Sequence, residues 1–270
     1  MGVLDGKVGV VLGASSGIGW RIAERFVEEG AELIVAARRV DQLEKLSKEI
    51  GATPIRCDVS NYDDLEALAN AAVEKWGRID FSINSAGVNM PSTLADLDPA
   101  LLKQVADVQF FGAYYFMKHF GNAHAANGGG SLINITSATA VMVPVGLSPY
   151  SGCKAAANFV TKIAAREYGP SNVRVNALAP TFVPTAMNAY GGMEPIDDAR
   201  VNLESESPIS RAFIKETPLR RVTSVDDCAD VAIFLASDLS TSMTGQVVPV
   251  DNGNHLQRLP NAEDMFPSEP

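Results

Sequence analysis

The sequence predicts an α/β fold, a doubly wound parallel sheet of about seven strands with helices on both faces. Three observations predict it. Short apolar runs alternate with stretches of helical period along nearly the whole chain. The run Ser131-Leu-Ile-Asn-Ile-Thr136 is apolar without alternation, as a parallel strand buried on both faces is. A glycine-rich turn, Leu12-Gly-Ala-Ser-Ser-Gly-Ile-Gly19, stands between the first apolar run and the first helical stretch. No internal repeat or linker divides the 270 residues, a length that fits one large domain spanning 1–270.

The elements follow in order. Lys7–Leu12 is a short strand, and Gly17–Glu29 a helix with Ile18, Ile22 and Phe26 on one face. Glu32–Ala37 is the second strand, followed by a helix Asp41–Ile50 that Asp41 caps. Thr53–Cys57 is a strand, and Asn61–Trp76 a helix capped at Ser60 or Asn61. After the strand Ile79–Asn84 comes one long helix, Pro99–Ala125. Gly128-Gly-Gly130 breaks the chain before the strand Ser131–Thr136. Tyr150–Tyr168 is a helix, Val173–Leu178 a strand, Ser224–Ala236 a helix and Gln246–Val250 the last strand. Residues 184–218 depart from this rhythm, with prolines, two glycines and scattered Met187, Tyr190, Met193, Ile196, Ile209 and Phe213. A long irregular stretch after a late strand reads as a substrate lid. The proline-rich, acidic tail 259–270 reads as extended and packed on a neighbouring subunit.

Bulk properties exclude several classes. The net charge of −10 gives no electrostatic footprint for nucleic acid or anionic lipid. No apolar run approaches the roughly 18 residues that span a bilayer, and Met1 to Asp5 leads straight into the first strand without a signal peptide. Three scattered cysteines, Cys57, Cys153 and Cys228, suggest free thiols in the cytoplasm. Cys153 adjoins Lys154, but neighbours on a helix point apart, so a reactive thiol is not expected there. His119, His124 and His255 lack metal-ligand spacing, and no metal is expected.

The chemistry sits in Ser137, Tyr150 and Lys154. A free tyrosine ionises near pH 10 and is a poor base at neutrality. A lysine one helical turn later shares its face, and its charge would bring the phenol into a useful range. Ser137 arrives at the carboxyl end of a strand, where open α/β sheets place working groups, and can hold a substrate oxygen beside the phenol. Together they form a proton-transfer device for a carbonyl–alcohol pair. In the glycine turn, Gly13 allows a tight bend, and Gly17 and Gly19 allow close approach of backbone to a diphosphate at a helix N-terminus. Sites for NAD carry a carboxylate at the end of the second strand. Here Ala37 is followed by Arg38 and Arg39, which suit the 2′-phosphate of NADP.

These residues, in this order and spacing, resemble the short-chain dehydrogenase/reductase family, whose fold is Rossmann-like. The likeness covers nearly the whole chain: the glycine turn, Asn84-Ser-Ala-Gly87, Ser137, Tyr150-x-x-x-Lys154, and Pro180 through Thr185. It implies Tyr150 as general acid/base, Lys154 on the nicotinamide ribose, and Ser137 orienting the carbonyl. It implies cofactor contacts from Gly13, Ser15, Ser16, Gly17, Ile18, Gly19, Arg38 and Arg39. Asp58 and Val59 fall at the adenine, Asn84, Ser85, Ala86 and Gly87 against the cofactor, and Pro180, Val183 and Thr185 around the carboxamide. Gln109 stands where the family has a fourth catalytic residue, an asparagine. Leu12, Ser85, Thr181 and Asn252 also depart from the common pattern, and Ser16 replaces a basic residue that many NADP users carry.

The expected function is hydride transfer between NADP(H) and a ketone or secondary alcohol. Apolar residues after Ser137 (Val141, Met142, Val143, Val145, Leu147) suggest a hydrophobic or aromatic substrate touching Val145, Met187 and Tyr190. An NAD-linked dehydrogenase of a diol or ring alcohol is the alternative. A dinucleotide-sensing regulator without catalysis is disfavoured because both Tyr150 and Lys154 are present. Surplus apolar residues on two helices (Phe110, Phe111, Tyr114, Tyr115, Met117; Ala155, Ala156, Ala157, Phe159) suggest a homodimer or homotetramer.

Overall fold

Alternation along each strand decides which helices its side chains meet. In the first strand, β1 (Val8–Leu12), Val11 joins one buried cluster while Val10 and Leu12 join another. The computed structural model, which describes residues 2–185, 187 and 207–265, shows what covers each side. On one side, α1 (Gly17–Glu28) supplies Trp20, Ile22 and Phe26, and α2 (Val40–Ile50) supplies Leu43 and Leu46. On the other, α3 (Tyr62–Trp76) supplies Leu65 and Leu68 beside Phe116 and Phe120. Both faces are therefore dry, as the apolar runs require.

The remaining strands are β2 (Glu32–Ala37), β3 (Thr53–Arg56), β4 (Phe81–Asn84), β5 (Gly130–Ile135), β6 (Val173–Pro180) and β7 (Val247–Val250). All pair in parallel, in the order β3-β2-β1-β4-β5-β6-β7. The winding direction reverses between β1 and β4, and the crevice beyond their carboxyl ends is where such sheets bind ligands.

Element boundaries moved for physical reasons. The expected helix Pro99–Ala125 is broken into α4 (Pro99–Ala106), a wider π-helical turn Asp107–Phe111, and α5 (Gly112–Ala126). Arg39, not Asp41, precedes the first turn of α2, and no side chain caps it. Asn61 caps α3, its Oδ1 accepting from the amides of Asp63 and Asp64. The helix α6 (Ser148–Tyr168) starts two residues before Tyr150, with Pro149 in its first turn, where its missing N–H costs nothing. The tail does not simply run extended: Ala262–Met265 forms a helical turn against α7 (Pro208–Lys215). Asn252, which interrupts the expected pair of glycines, takes a left-handed φ of 52° and donates through Nδ2 to Arg221 O and Thr223 Oγ1. Asparagine is among the few residues that tolerate that conformation.

Helix α8 (Val225–Ala236) opens on a reciprocal cap. Ser224 Oγ accepts from the Asp227 amide at 3.0 Å, and Asp227 accepts from the Ser224 amide at 2.8 Å. Arg221 adds a bond to the same carboxylate at 2.9 Å and holds it down at about 2. Because that is below the usual ~3.9, the stabilisation is complete above about pH 4 and is lost as pH falls toward 2. Asp227→Asn is expected to lower Tm at pH 7 by about 2–4 °C, equivalent to about 1 kcal/mol for this half-exposed pair. Thermal melts should show the gap narrowing by pH 3. A gap of constant size would contradict the assignment.

Candidate active site

The reversal point between β1 and β4 is built from backbone in contact with backbone. Gly13 bends after β1 with φ 85°, and a Cβ there would lie 2.3 Å from the Ala86 amide nitrogen. A Cβ on Gly19 would lie 2.3 Å from Gly13 O, so the glycine packs the helix start onto the turn. Gly17 faces the Thr185 side chain, whose methyl would lie 3.4 Å from an added Cβ. A cleft of about 1070 Å³ opens over this cradle. Among its described lining residues are four cations, Arg38, Arg39, Lys154 and Arg258, and no Asp or Glu. In a chain of net charge −10 these lining residues give the cleft an excess of positive charge.

Arg39 folds back onto the glycine turn. Its guanidinium donates to Ser15 Oγ at 3.0 Å, Ser16 Oγ at 2.6 Å and Ser15 O at 3.3 Å. Burial, and then the charge of Arg38, push this guanidinium down from its ordinary value. Two like charges side by side are relieved by an anion such as phosphate. Ser16 lacks the charge, and Arg39 brings one to it from the end of β2. Arg38 is exposed, and Ala37 before it carries no carboxylate.

The working groups come from three elements. Past β5, Ser137 has extended backbone and a nearly buried side chain. On α6, Lys154 reaches back across the sheet end, and its Nζ donates to Ile135 O at 2.7 Å. It is only 6% exposed, and burial pushes its ammonium down to about 7. Burial pushes the Tyr150 phenol up, opposed by Ser137, and Lys154 Nζ stands 5.7 Å from the ring centre. Gln109 lies in the π-helical turn, buried, and its Nε2 donates to Val88 O at 2.7 Å. The extra methylene is accommodated next to Gly87, where a Cβ would come within 3.1 Å of Nε2.

Of the residues singled out from sequence, the cleft brings together Ser137, Tyr150, Lys154 and Gln109. It also brings together Gly13, Ser15, Ser16, Gly17, Ile18, Arg38, Arg39, Val59, Ser85, Ala86, Gly87, Pro180, Val183 and Thr185, with Val145 and Met187 at the far end. Gly19, Asn84 and Asp58 are not among its lining residues: Gly19 packs on Gly13, Asn84 accepts from the Ala86 amide and donates to Asn134, and Asp58 accepts from Ser60. Tyr190, Met193 and Ile196 lie outside the described residues. Arg258, Leu259, Pro260, Asn261 and Met265, at the start of the tail, line this chain's cleft, anchored by an Arg258–Glu216 bond of 3.0 Å. Sequence reasoning also missed Thr139, Asn89 and Cys57, which carry no pattern of their own. Cys57 is pushed up to about 12 by burial, and Cys153 is raised for the same reason, so neither is an activated thiol. Among the described residues no group of three His, Cys, Asp or Glu is placed to hold a metal, and no helix is long and apolar enough to cross a membrane.

A family model described as "Enoyl-(Acyl carrier protein) reductase" matches residues 13–255. The galactitol 2-dehydrogenase (L-tagatose-forming) of Cereibacter sphaeroides is 32% identical, over 93% of this chain and 95% of its own. The 7alpha-hydroxysteroid dehydrogenase of Escherichia coli is 30% identical, over 93% and 94%. A solved short-chain type dehydrogenase/reductase from Mycobacterium ulcerans superposes with TM-score 0.89 at 27% identity, over 97% of this chain and 94% of that one. With the seven-stranded parallel sheet and the cleft at its winding reversal, these similarities over almost the full length show that the chain belongs to the short-chain dehydrogenase/reductase family, the nicotinamide-dependent oxidoreductases of alcohols and ketones.

Proposed function

We propose that the protein interconverts a hydrophobic or aromatic ketone and its secondary alcohol with a preference for NADP(H), Tyr150 being the acid/base. One observation carries this reading. Tyr150 and Ser137 line the same cleft as a glycine cradle flanked by Arg38 and Arg39, a cleft free of carboxylates among its described lining residues. The cradle, the helix N-terminus and the cations fit a phosphorylated dinucleotide, which when bound there supplies or accepts the hydride. Gly13 through Ile18 would hold its diphosphate, and Arg38 and Arg39 its 2′-phosphate. Val59 and Ser85 to Gly87 would line its length, while Gly19, Asn84 and Asp58 keep these turns in shape. Lys154 would hold the ribose, and Pro180, Val183 and Thr185 the carboxamide end.

In reduction, Ser137 holds the carbonyl oxygen and Tyr150 gives it a proton; in oxidation Tyr150 takes the proton back. Gln109 retains the amide-to-carbonyl link to Val88 and so can keep this segment in register. The substrate end is apolar, formed by Val143, Val145, Met187, Ile209, Phe213 and Leu259, with Phe213 stacked on Phe182 at 4.8 Å. That wall favours a ring or aromatic substrate over a polyol, and the likeness to a hydroxysteroid dehydrogenase supports the same direction. The likeness to a galactitol dehydrogenase favours a second reading, an NAD-linked diol or ring-alcohol dehydrogenase. Three unpaired cysteines support a cytoplasmic setting. A panel of aromatic ketones, alicyclic ketones and polyols, followed by NADPH and NADH absorbance, separates the two readings.

Tyr150→Phe keeps the ring and removes the proton, and is expected to lower turnover by about 10²-fold or more with dinucleotide affinity nearly unchanged. Lys154→Ala should damage both. Near-normal turnover by Tyr150→Phe would remove Tyr150 from the reaction.

Cofactor choice is tested by titrating each dinucleotide. Arg38→Leu is expected to weaken NADPH by about ten- to a hundredfold and leave NADH unaltered, the size of one charge-assisted contact. Arg39→Leu should weaken both, because Arg39 also ties down Ser15 and Ser16. Ala37→Asp with Arg38→Leu should reverse the preference. Equal loss of both dinucleotides in Arg38→Leu would contradict the assignment.

Apolar side chains stand exposed on two helices, Phe111 beside α5 with Tyr114 on it, and Phe159 and Ile163 on α6. They support a homodimer or homotetramer. Light scattering at micromolar concentration should give a multiple of 28.7 kDa; a monomer mass would refute it.

A further inference from the structure

Thr139 lines the cleft two residues past Ser137, and nothing above gives it a task. The tight turn Ala138–Ala140 after β5 folds it back onto the serine. Its amide donates to Ser137 Oγ at 3.2 Å, and its hydroxyl donates to the same oxygen at 3.0 Å. A serine hydroxyl has one proton and two lone pairs. With both lone pairs engaged, Ser137 has only its proton left to offer. Ser137 also counters the burial that lifts the Tyr150 phenol, the sense in which a proton offered by the serine acts.

Resting on the reading that Ser137 and Tyr150 serve the reaction, we infer that Thr139 is a positioning residue that closes both lone pairs of Ser137 and fixes the serine as a donor toward the oxygen that exchanges its proton with Tyr150. Two consequences follow from the geometry. A carbonyl or alkoxide oxygen, which accepts only, is matched by a serine that donates only. An alcohol substrate, whose proton must leave, finds no free lone pair on Ser137 and is directed to Tyr150. Hydrogen bonds in a chain polarise one another, so the threonine hydroxyl also makes the serine a stronger donor. Lys154 on α6 is the ionisable group beside the phenol among the described lining residues, and no carboxylate is among them.

Thr139→Val removes the hydroxyl and keeps the shape and the amide. Ultraviolet difference titration of the NADP-saturated protein against Tyr150→Phe reads the phenol directly. Its ionisation is expected about half a pH unit higher in Thr139→Val, the worth of one ordinary hydrogen bond, and Thr139→Ser should restore the original value. With 1-phenylethanol and NADP, kcat should fall about three- to tenfold in Thr139→Val while KM changes less than about twofold. If the valine variant does not fold, Thr139→Ala must show the shift and Thr139→Ser must not. Loss of turnover in Tyr150→Phe together with an unshifted phenol in Thr139→Val or Thr139→Ala overturns the Thr139 assignment alone. Normal turnover in Tyr150→Phe overturns the catalytic reading, and this inference with it.

Discussion

The bond from Lys154 Nζ to Ile135 O is the contact on which the geometry of the cleft depends. It joins the middle of α6 to the carboxyl end of β5, and so sets Tyr150 over the turn that carries Ser137. A buried ammonium needs a partner, and the last carbonyl of β5 is the one it finds. The same burial brings Lys154 down to about 7 and lifts Tyr150.

Electrostatics divides the molecule into an acidic exterior and a cationic cleft. Ion pairs between outer helices hold Arg21 and Arg25 locally, Arg21 meeting Asp226 at 2.7 Å and Arg25 meeting Asp230 at 3.1 Å between α1 and α8. Arg38 and Arg39 stand apart from that pattern. One is exposed beside an alanine, and the other is turned onto serines of the glycine turn rather than onto a carboxylate. Crowding two cations is unfavourable unless an anion joins them, and this is the physical ground for proposing a phosphate there.

The fold was legible because both of its requirements are local. Period and apolarity mark strands that need cover on two sides, and glycine marks the places where backbone must touch backbone, as Gly13 touches Ala86. Ser137, Tyr150 and Lys154 were legible because their spacing is fixed by one strand end and one helical turn. What stayed hidden depended on long-range contact. No pattern announces that Arg39 turns back to Ser16, that Asp58 bonds Ser60 and Asn84 bonds Asn134, or that residues from Arg258 to Met265 line the cleft. The π-helical turn at Asp107–Phe111 was hidden for a different reason, since inserting one residue per turn leaves the helical period almost unchanged.

The central claim is that Ser137 and Tyr150 hold one substrate oxygen between them. A crystal structure of the protein with NADP and a hydrophobic ketone tests it most directly. The account predicts the carbonyl oxygen within about 3 Å of both Ser137 Oγ and the Tyr150 hydroxyl, with the ring of the ketone against Val145, Phe213 and the tail. A ketone bound in the cleft with its oxygen turned away from both hydroxyls would contradict it.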